Sequence, residues 1–306
     1  MSDESPTPGG RLASGVPQAL AAYVLWGFMP LYLLLVRQVP AFEFVGWRIV
    51  WTLPICLLIV AFRGQFPAIR EALKDRRALL ILTASAILIA VNWVVYVWAI
   101  QQNQVYAASL GYYINPLVNV LLGTMLLKET LSRAQWVAVG LAGIGIAVLA
   151  AGALTTLWIS LTLALSFGTY GLLRKQVSVG ALPGLTIESA ILLLPALGVA
   201  AWFAASPQGS AFGSDIGLSL AIALGGALTA FPLLLFAIAA RRMDYSVLGF
   251  VQFLAPSIVF ILGLTVFGEE LHPAQAFCFG CIWLAAAIFV WDLLALRKPR
   301  KPTPVS

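Results

Sequence analysis

The chain has 306 residues, of which 61% are hydrophobic and only 10% charged, and its formal net charge is +6. A soluble domain would carry about a quarter charged residues, so the composition excludes one and indicates a polytopic membrane protein. The one histidine, His272, cannot form a zinc site alone. Cys278 and Cys281 lie in an apolar run, where we interpret them as packing residues. We therefore predict neither a metal site nor a cofactor.

Repeated apolar runs predict an all-α integral membrane protein with ten transmembrane helices. In chain order the predicted spans are 17–36, 42–62, 78–100, 105–127, 134–152, 155–174, 183–204, 215–240, 246–267 and 274–296. Residues 1–15, rich in Ser, Pro and Gly, are predicted to be a disordered cytoplasmic N-terminus. Residues 297–306 are predicted to be a basic cytoplasmic tail. The remainder divides into two five-helix units, 16–152 and 153–296.

The basic residues indicate how the chain is oriented. With the N-terminus inside, 16 of the 18 Lys and Arg residues fall in inner segments, whereas the outer segments hold only Arg37. An excess of Lys and Arg marks the cytoplasmic side of a membrane protein. We expect a multi-pass protein of the bacterial inner (plasma) membrane with both termini in the cytoplasm.

Arg48, in the second span, is the residue that costs most to bury in a bilayer. We predict a gating or coupling role for it, with Glu43 as its nearest acidic partner, while the alternative is a side chain that reaches outward to the interface. Glu188, in the seventh span, is a candidate proton-coupling carboxylate. Helix geometry separates Arg48 and Glu188 by about 15 Å in depth, so no direct salt bridge is expected between them.

The third span carries Asn92, Trp93 and Tyr96, and Asn92 and Tyr96 lie one helical turn apart. We predict that these three side chains bind substrate in a cavity. Two alternatives remain: Asn92 forms a hydrogen bond between helices, and Trp93 belongs to the aromatic belt at the interface.

The fourth span contains the stretch A-S-L-G-Y-Y-I-N-P-L-V-N, in which Tyr112, Asn115 and Asn119 share one helical face. Pro116 has no N–H and clashes with the carbonyl of Tyr112, so we predict a break in the helix there. A polar face beside a broken backbone is poorly suited to lipid and predicts the wall of a substrate cavity. The alternative is that these side chains join helices to each other.

Later spans supply further candidates. Tyr170 in the sixth span is a predicted cavity residue, and Pro232 is predicted to kink the eighth span. In the ninth span Pro256 frees the carbonyl of Gln252, which we also predict to contact substrate.

The two halves of the chain resemble each other at a spacing of 140 residues. This shift places Pro116 on Pro256, Gly123 on Gly263, Glu129 on Glu269, Leu131 on Leu271, Gln135 on Gln275 and Gly140 on Gly280. Because the shift covers five helices, an odd number, we expect the halves to be inverted in the membrane around a central cavity. Such repeats are typical of transporters that work by alternating access. Glu129 and Glu269 are interpreted as caps of the helices that follow them.

Three strings in the chain point to a specific resemblance to a known family. They are Y-V-L-W-G-F-M-P-L-Y from Tyr23 to Tyr32, N-W-V-V-Y-V-W-A-I from Asn92 to Ile100, and A-S-L-G-Y-Y-I-N-P-L-V-N-V-L-L-G from Ala108 to Gly123. Over about residues 16–296 the chain resembles the RarD-type permeases of the drug/metabolite transporter superfamily, in its EamA branch, whose name refers to chloramphenicol resistance. The resemblance implies a cavity lined mainly by spans 1, 3, 4, 6, 8 and 9.

These observations predict a permease that moves a small metabolite or amphipathic drug outward by alternating access. No nucleophile–base pair and no nucleotide-binding motif is found, so we do not expect an enzyme. The alternatives are a membrane receptor or scaffold without transport and an intramembrane lipid-processing enzyme. The expected partners are a small-molecule substrate and the lipid bilayer, without nucleic acid, and a homodimer remains open.

Overall fold

The computed structural model describes residues 15–102 and 104–296. The predicted tail 297–306 and all but the last residue of the predicted N-terminal segment 1–15 lie outside these ranges. Within them every regular element is helical. The α-helices are Val16–Gly27, Met29–Leu33, Ala41–Phe62, Phe66–Lys74, Arg76–Gln101, Val105–Leu126, Arg133–Ala151, Leu157–Gln176, Ala181–Ala204, Ile216–Arg242, Tyr245–Gln252, Leu254–Thr265 and Pro273–Leu296. Leu34–Val36 and Leu154–Thr156 are short 3-10 helices.

Ten of the segments in the described ranges are long and apolar enough to cross a membrane. This confirms the predicted all-α fold with ten spans, and the observed ends lie within about two residues of those predicted from hydrophobicity. We number them span 1 to span 10. Loops after even-numbered spans then share one side with the N-terminus, called here the N-terminal side, and loops after odd-numbered spans lie on the opposite side.

A short amphipathic helix, Phe66–Lys74, occupies the connection between spans 2 and 3, where no element was predicted. Its apolar residues Ile69 and Ala72 pack on the bundle, whereas Arg70 and Lys74 remain exposed. A helix with one apolar and one charged face suits the boundary between bilayer and water. The hydrophobicity that identifies spans misses it because it is too short and too polar.

The proline predictions need correction. Span 4 continues through Pro116 and span 8 through Pro232 without interruption, so the predicted break at Pro116 is wrong and Pro232 interrupts nothing. A proline removes one backbone hydrogen bond, and packing against neighbouring helices maintains the rest. Span 9 does break, at Phe253, three residues before Pro256. Span 1 also breaks, at Phe28, and the next helix begins with Pro30 in its first turn, where a missing N–H costs nothing.

The extensive helix contacts join one half of the chain to the other rather than neighbours within a half. Spans 2 and 7, 4 and 9, and 5 and 10 pack as equivalent pairs. Three further contacts between the halves occur in exchanged pairs: 1 with 8 matches 3 with 6, 1 with 9 matches 4 with 6, and 2 with 8 matches 3 with 7. The core therefore lies between two halves that have the same packing surfaces.

The 140-residue repeat is also visible in backbone detail, in the turns after spans 4 and 9. The N–H of Glu129 donates to the carbonyl of Gly123 at 3.0 Å, and that of Glu269 donates to Gly263 at 2.9 Å. The preceding residues, Lys128 and Gly268, both have positive φ, of 57° and 66°. The same turn is thus built twice.

Candidate functional site

A narrow cavity lies between the two halves, with a volume of about 10 Å³, room for about one water molecule. Its lining includes Trp93 from span 3, Tyr170 from span 6 and Glu188 from span 7. Spans 2 and 8 complete the wall through Ile49, Thr52 and Leu233. The resemblance had implied spans 1, 4 and 9 and omitted 2 and 7, so the cavity is bounded by a different set of helices.

Glu188 lies in the half of the bundle nearer the N-terminal side and is only 2% exposed. The Nη1 atom of Arg174 lies 3.6 Å from its Oε1 atom, and Ser85 donates a hydrogen bond to the same oxygen. The other oxygen, Oε2, is buried without a hydrogen-bond partner, and the hydroxyl of Tyr170 faces the carboxylate. Glu188 is therefore neutralised by Arg174 and keeps one acceptor free beside the cavity.

Arg174 is the residue that the sequence analysis missed, because it was counted among the basic residues of the inner segments, at the very end of the predicted span 155–174. It lies in the last turn of the helix Leu157–Gln176, and its side chain is completely buried. Its Nη2 atom also donates to the carbonyl of Ala181 at 2.8 Å. One signal was available: Arg174 and Glu188 flank the same short connection, so they lie close in depth, and a carboxylate within the membrane requires a partner.

Arg48 lies in the other half of the bundle, toward the opposite side. Its guanidinium carbon lies 4.6 Å from the ring centroid of Trp93 and 5.9 Å from that of Phe44. In the part of the chain that the structure describes, no ion pair joins it to Glu188, as predicted from their depths. Its Nε atom is buried and has no hydrogen-bond partner.

Three tyrosines lie near the same guanidinium. The hydroxyls of Tyr32, Tyr96 and Tyr112 are close enough to interact with it electrostatically. The rings of Tyr96 and Tyr112 meet edge to face at 5.7 Å, and Tyr112 is 37% exposed. We call the set Tyr32, Arg48, Trp93, Tyr96 and Tyr112 the Arg48 cleft.

The predicted partnership between Arg48 and Glu43 is wrong. The Oε1 atom of Glu43 accepts hydrogen bonds from the Ser210 hydroxyl at 2.5 Å and from the Ala211 N–H at 2.8 Å. Phe212, in the same loop, stacks on Trp47 at 4.2 Å. Glu43 thus holds the loop between spans 7 and 8 against span 2. Residues five apart on a helix point in different directions, which keeps Glu43 away from the cleft.

Several predicted cavity residues lie in contacts between helices. Asn92 donates to the carbonyl of Leu163 at 2.9 Å and to the hydroxyl of Ser166 at 3.0 Å. Asn119 donates to Oε1 of Gln252 at 2.7 Å, and the hydroxyl of Tyr23 donates to the same oxygen at 3.3 Å. These bonds use the amide donors of Asn92 and Asn119 and the amide oxygen of Gln252.

Asn115 is 1% exposed, and its Oδ1 atom, like that of Asn119, has no hydrogen-bond partner. The structure therefore brings Trp93, Tyr96 and Tyr112 together around Arg48 and places Tyr170 beside Glu188. Asn92, Asn119 and Gln252 are positioned elsewhere, at the contacts of span 3 with 6 and of span 4 with 9.

Comparison with known proteins agrees with this architecture. Residues 13–151 match the model of the EamA-like transporter family. A protein of Streptomyces exfoliatus named Protein RarD is 41% identical over 288 residues, which cover 94% of this chain and 91% of that protein. An uncharacterized transporter of Pseudomonas aeruginosa is 42% identical over 295 residues, with 95% and 98% of the two chains covered.

A solved crystal structure shares the fold. It has a TM-score of 0.72 and 17% sequence identity, and the match covers 94% of this chain and all of the other. The ten spans, the turn built twice, the family match and the transporter relatives lead to one assignment. The chain belongs to the EamA-like transporter family, among its RarD-type permeases, and is a multi-pass membrane transporter rather than an enzyme.

Proposed function

We propose that the chain is an inner-membrane permease with two inverted five-helix halves, 16–152 and 153–296, that moves a small metabolite or amphipathic drug outward by alternating access. The exchangeable packing of the halves supports this mechanism, because two equivalent units can swap the open and the closed role. The outward direction is inferred from the chloramphenicol-resistance name of the RarD-type permeases. Both termini then lie in the cytoplasm, and the N-terminal side is the inner side.

One observation carries the proposal. The turn occurs twice in the fold, but among the described residues only one of its two glutamates, Glu129, accepts hydrogen bonds from a span of the other half. On the N-terminal side the carboxylate of Glu129 accepts hydrogen bonds from the N–H of Tyr245 at 2.7 Å and from the N–H and hydroxyl of Ser246 at 2.8 and 2.7 Å. Glu129 therefore caps the first turn of span 9. The sequence analysis had predicted that it caps span 5, the helix that follows it in the chain, and this prediction is wrong. We call these bonds the Glu129 latch.

The equivalent latch on the opposite side would join Glu269 to the N–H groups of Val105 and Tyr106, 140 residues before Tyr245 and Ser246. Among the described residues Glu269 accepts no such bond, and its side chain is exposed. The two sides of a symmetric fold are therefore in different states. This is the asymmetry that alternating access requires of a single conformation.

Burial agrees with the same interpretation. Arg174 and Glu188, nearer the latched side, are sealed from solvent, whereas Tyr112 in the Arg48 cleft is 37% exposed. On this proposal the conformation is closed toward the cytoplasm. Forming the Glu269 latch while breaking that of Glu129 would convert it into the inward-open state.

The direct test is transport by purified protein in proteoliposomes. Hits from a thermal-shift screen of metabolites would be assayed for counterflow of the labelled compound, with empty liposomes as the blank. We expect exchange in the wild type and a strong loss in Asn115→Ala and Arg48→Ala. Ligand binding without counterflow would instead indicate a receptor and contradict the proposal.

Proton coupling through Glu188 is part of the proposal, since this carboxylate lines the cavity with one oxygen unpaired. Repeating the counterflow assay across a range of pH should show a dependence that Glu188→Gln removes. The same dependence in both proteins would exclude Glu188 as the coupling group.

A further inference from the structure

We infer that the Arg48 cleft is a binding site for the carboxylate of a small aromatic monoanion, which narrows the substrate class of the permease proposed above and rests on that proposal. The inference begins with the guanidinium. In the described ranges Arg48 forms no ion pair, and its Nε donor is buried without a partner. A buried charge without a partner is costly and is not retained for stability.

The contacts that Arg48 does make offset only part of the cost of burying its charge. A guanidinium 4.6 Å from the Trp93 ring gains a cation–π attraction, but this leaves its buried Nε donor without a hydrogen bond. The Nη atoms add further donors. A carboxylate would satisfy two of these donors at once, because the planar guanidinium matches its geometry. Glu188 contrasts with this arrangement, since its charge is already matched by Arg174. Arg174 and Glu188 thus compensate each other, whereas Arg48 is left available for a ligand.

The surroundings select the remainder of the ligand. Trp93, Tyr96 and Tyr112 present aromatic surfaces, which favour a planar apolar group by stacking. The hydroxyl of Tyr32 is engaged, as it donates to the carbonyl of Ala221 at 2.8 Å. With a single positive charge in the cleft, a monoanion is matched and a phosphate dianion is not.

Depth argues against a lipid headgroup as the anion. Arg48 is the eighth residue of the helix Ala41–Phe62, so it lies about 10 Å below the end of that helix. Headgroup phosphates remain at the level of the helix ends. Tyr112 is 37% exposed, so the cleft is not sealed within the bundle.

The test compares matched ligands on purified protein in detergent, independently of transport. Binding of 3-phenylpropionate and of its neutral isostere 3-phenylpropionamide is measured by isothermal titration calorimetry and by the quenching of tryptophan fluorescence. The variants are Arg48→Gln, Arg48→Lys and Trp93→Phe. Arg63→Gln, at the exposed end of the same helix, is the matched control for the loss of one positive charge.

We expect wild type and Arg63→Gln to bind the carboxylate at least about tenfold more tightly than the amide, the factor that one charge-assisted pair supplies. In Arg48→Gln the ratio should fall to about one, and Arg48→Lys should keep part of it. Trp93→Phe should remove most of the quenching. Equal affinity for the two ligands in the wild type, or an unchanged preference in Arg48→Gln, would overturn the inference.

The wild-type comparison needs no variant, so it decides the question even if Arg48→Gln does not fold. Counterflow of the same two compounds in proteoliposomes separates this inference from the proposed function. Arg48-dependent binding of the carboxylate without counterflow would contradict transport and keep the anion site. Counterflow that treats carboxylate and amide alike would keep transport and remove the anion site.

Discussion

At the residue scale, the buried pair of Arg174 and Glu188 shows how a charge is tolerated within the bundle. Each member is almost inaccessible, and Ser85 donates to the same carboxylate oxygen that faces Arg174. Removing one partner of such a pair leaves the other unpaired in a medium of low polarity. The pair therefore matters less as a source of net stability than as two charges that must be kept or removed together.

Arg174→Leu should lower the free energy of unfolding by about 3–5 kcal/mol, because it leaves Glu188 charged and buried. The double variant Arg174→Leu/Glu188→Leu should recover most of that loss. Unfolding by SDS in mixed micelles measures both. Lys74→Ala is the control, since its exposed ion pair with Glu71 is worth about 0–1 kcal/mol. A double variant no more stable than the single one would contradict this account.

Sequence reasoning at this scale located two intramembrane charges, Arg48 and Glu188, but missed Arg174 and the contacts that surround each charge. Arg48 and Glu188 stand out because a charge in an apolar run is recognisable in the sequence whichever way its side chain points. Their surroundings depend on packing between distant segments. Glu43 lies five residues from Arg48 yet bonds Ser210, and Glu129 bonds Tyr245, 116 residues away.

At the element scale, close approach of the helices depends on glycine. A Cβ atom at Gly226 in span 8 would lie 2.5 Å from the Cβ atom of Trp51 and 2.6 Å from its backbone carbon in span 2. A Cβ atom at Gly249 in span 9 would lie 2.6 Å from the carbonyl oxygen of Pro116 in span 4. Helices in lipid associate through van der Waals contact and hydrogen bonds, so such small residues bring backbones together.

Gly226→Ala should lower the free energy of unfolding by about 1–3 kcal/mol, since spans 2 and 8 must separate to admit the methyl group. Gly140→Ala is the matched control: Gly140 also lies inside a span, but no atom is within 4 Å of its added Cβ position. It should be neutral or stabilise by up to about 1 kcal/mol, the difference in helix propensity. SDS unfolding would count against the packing argument if both variants lost the same stability.

The spans themselves were predictable because twenty apolar residues in sequence are a strong and local signal. The breaks within the helices were harder to predict. Pro116, Pro232 and Pro256 look alike in sequence, yet only the helix around Pro256 is interrupted, at Phe253. Whether a helix continues past a proline depends on neighbours that hold the freed carbonyl, and these come from other spans.

At the scale of the whole molecule, the 140-residue repeat predicted two equivalent halves but not which conformation they adopt. That information lies in the difference between Glu129, with three hydrogen bonds to span 9, and Glu269, with none to Val105 or Tyr106 among the described residues. Because both turns carry Glu at the equivalent position, the sequence alone does not show this difference. Only coordinates reveal which of two equivalent latches is closed.

The latch predicts how the conformational equilibrium responds to mutation. Glu129→Gln replaces a carboxylate that accepts three hydrogen bonds, and each charge-assisted bond is worth about 1.5–3 kcal/mol, so the inward-open population should rise by more than about tenfold. Cys56 is a natural reporter, because it is buried on span 2 beside Glu188 and Ser189.

In a background where Cys278 and Cys281 are replaced by alanine, labelling of Cys56 by an impermeant maleimide applied from the cytoplasmic side should be slow and should accelerate in Glu129→Gln. Glu269→Gln removes the same charge from the equivalent turn, whose latch is open, and should leave the rate unchanged. Equal acceleration in both variants would mean that the lost charge alone loosens the bundle. Acceleration only in Glu129→Gln would tie access to the cavity to the one latch that this conformation closes.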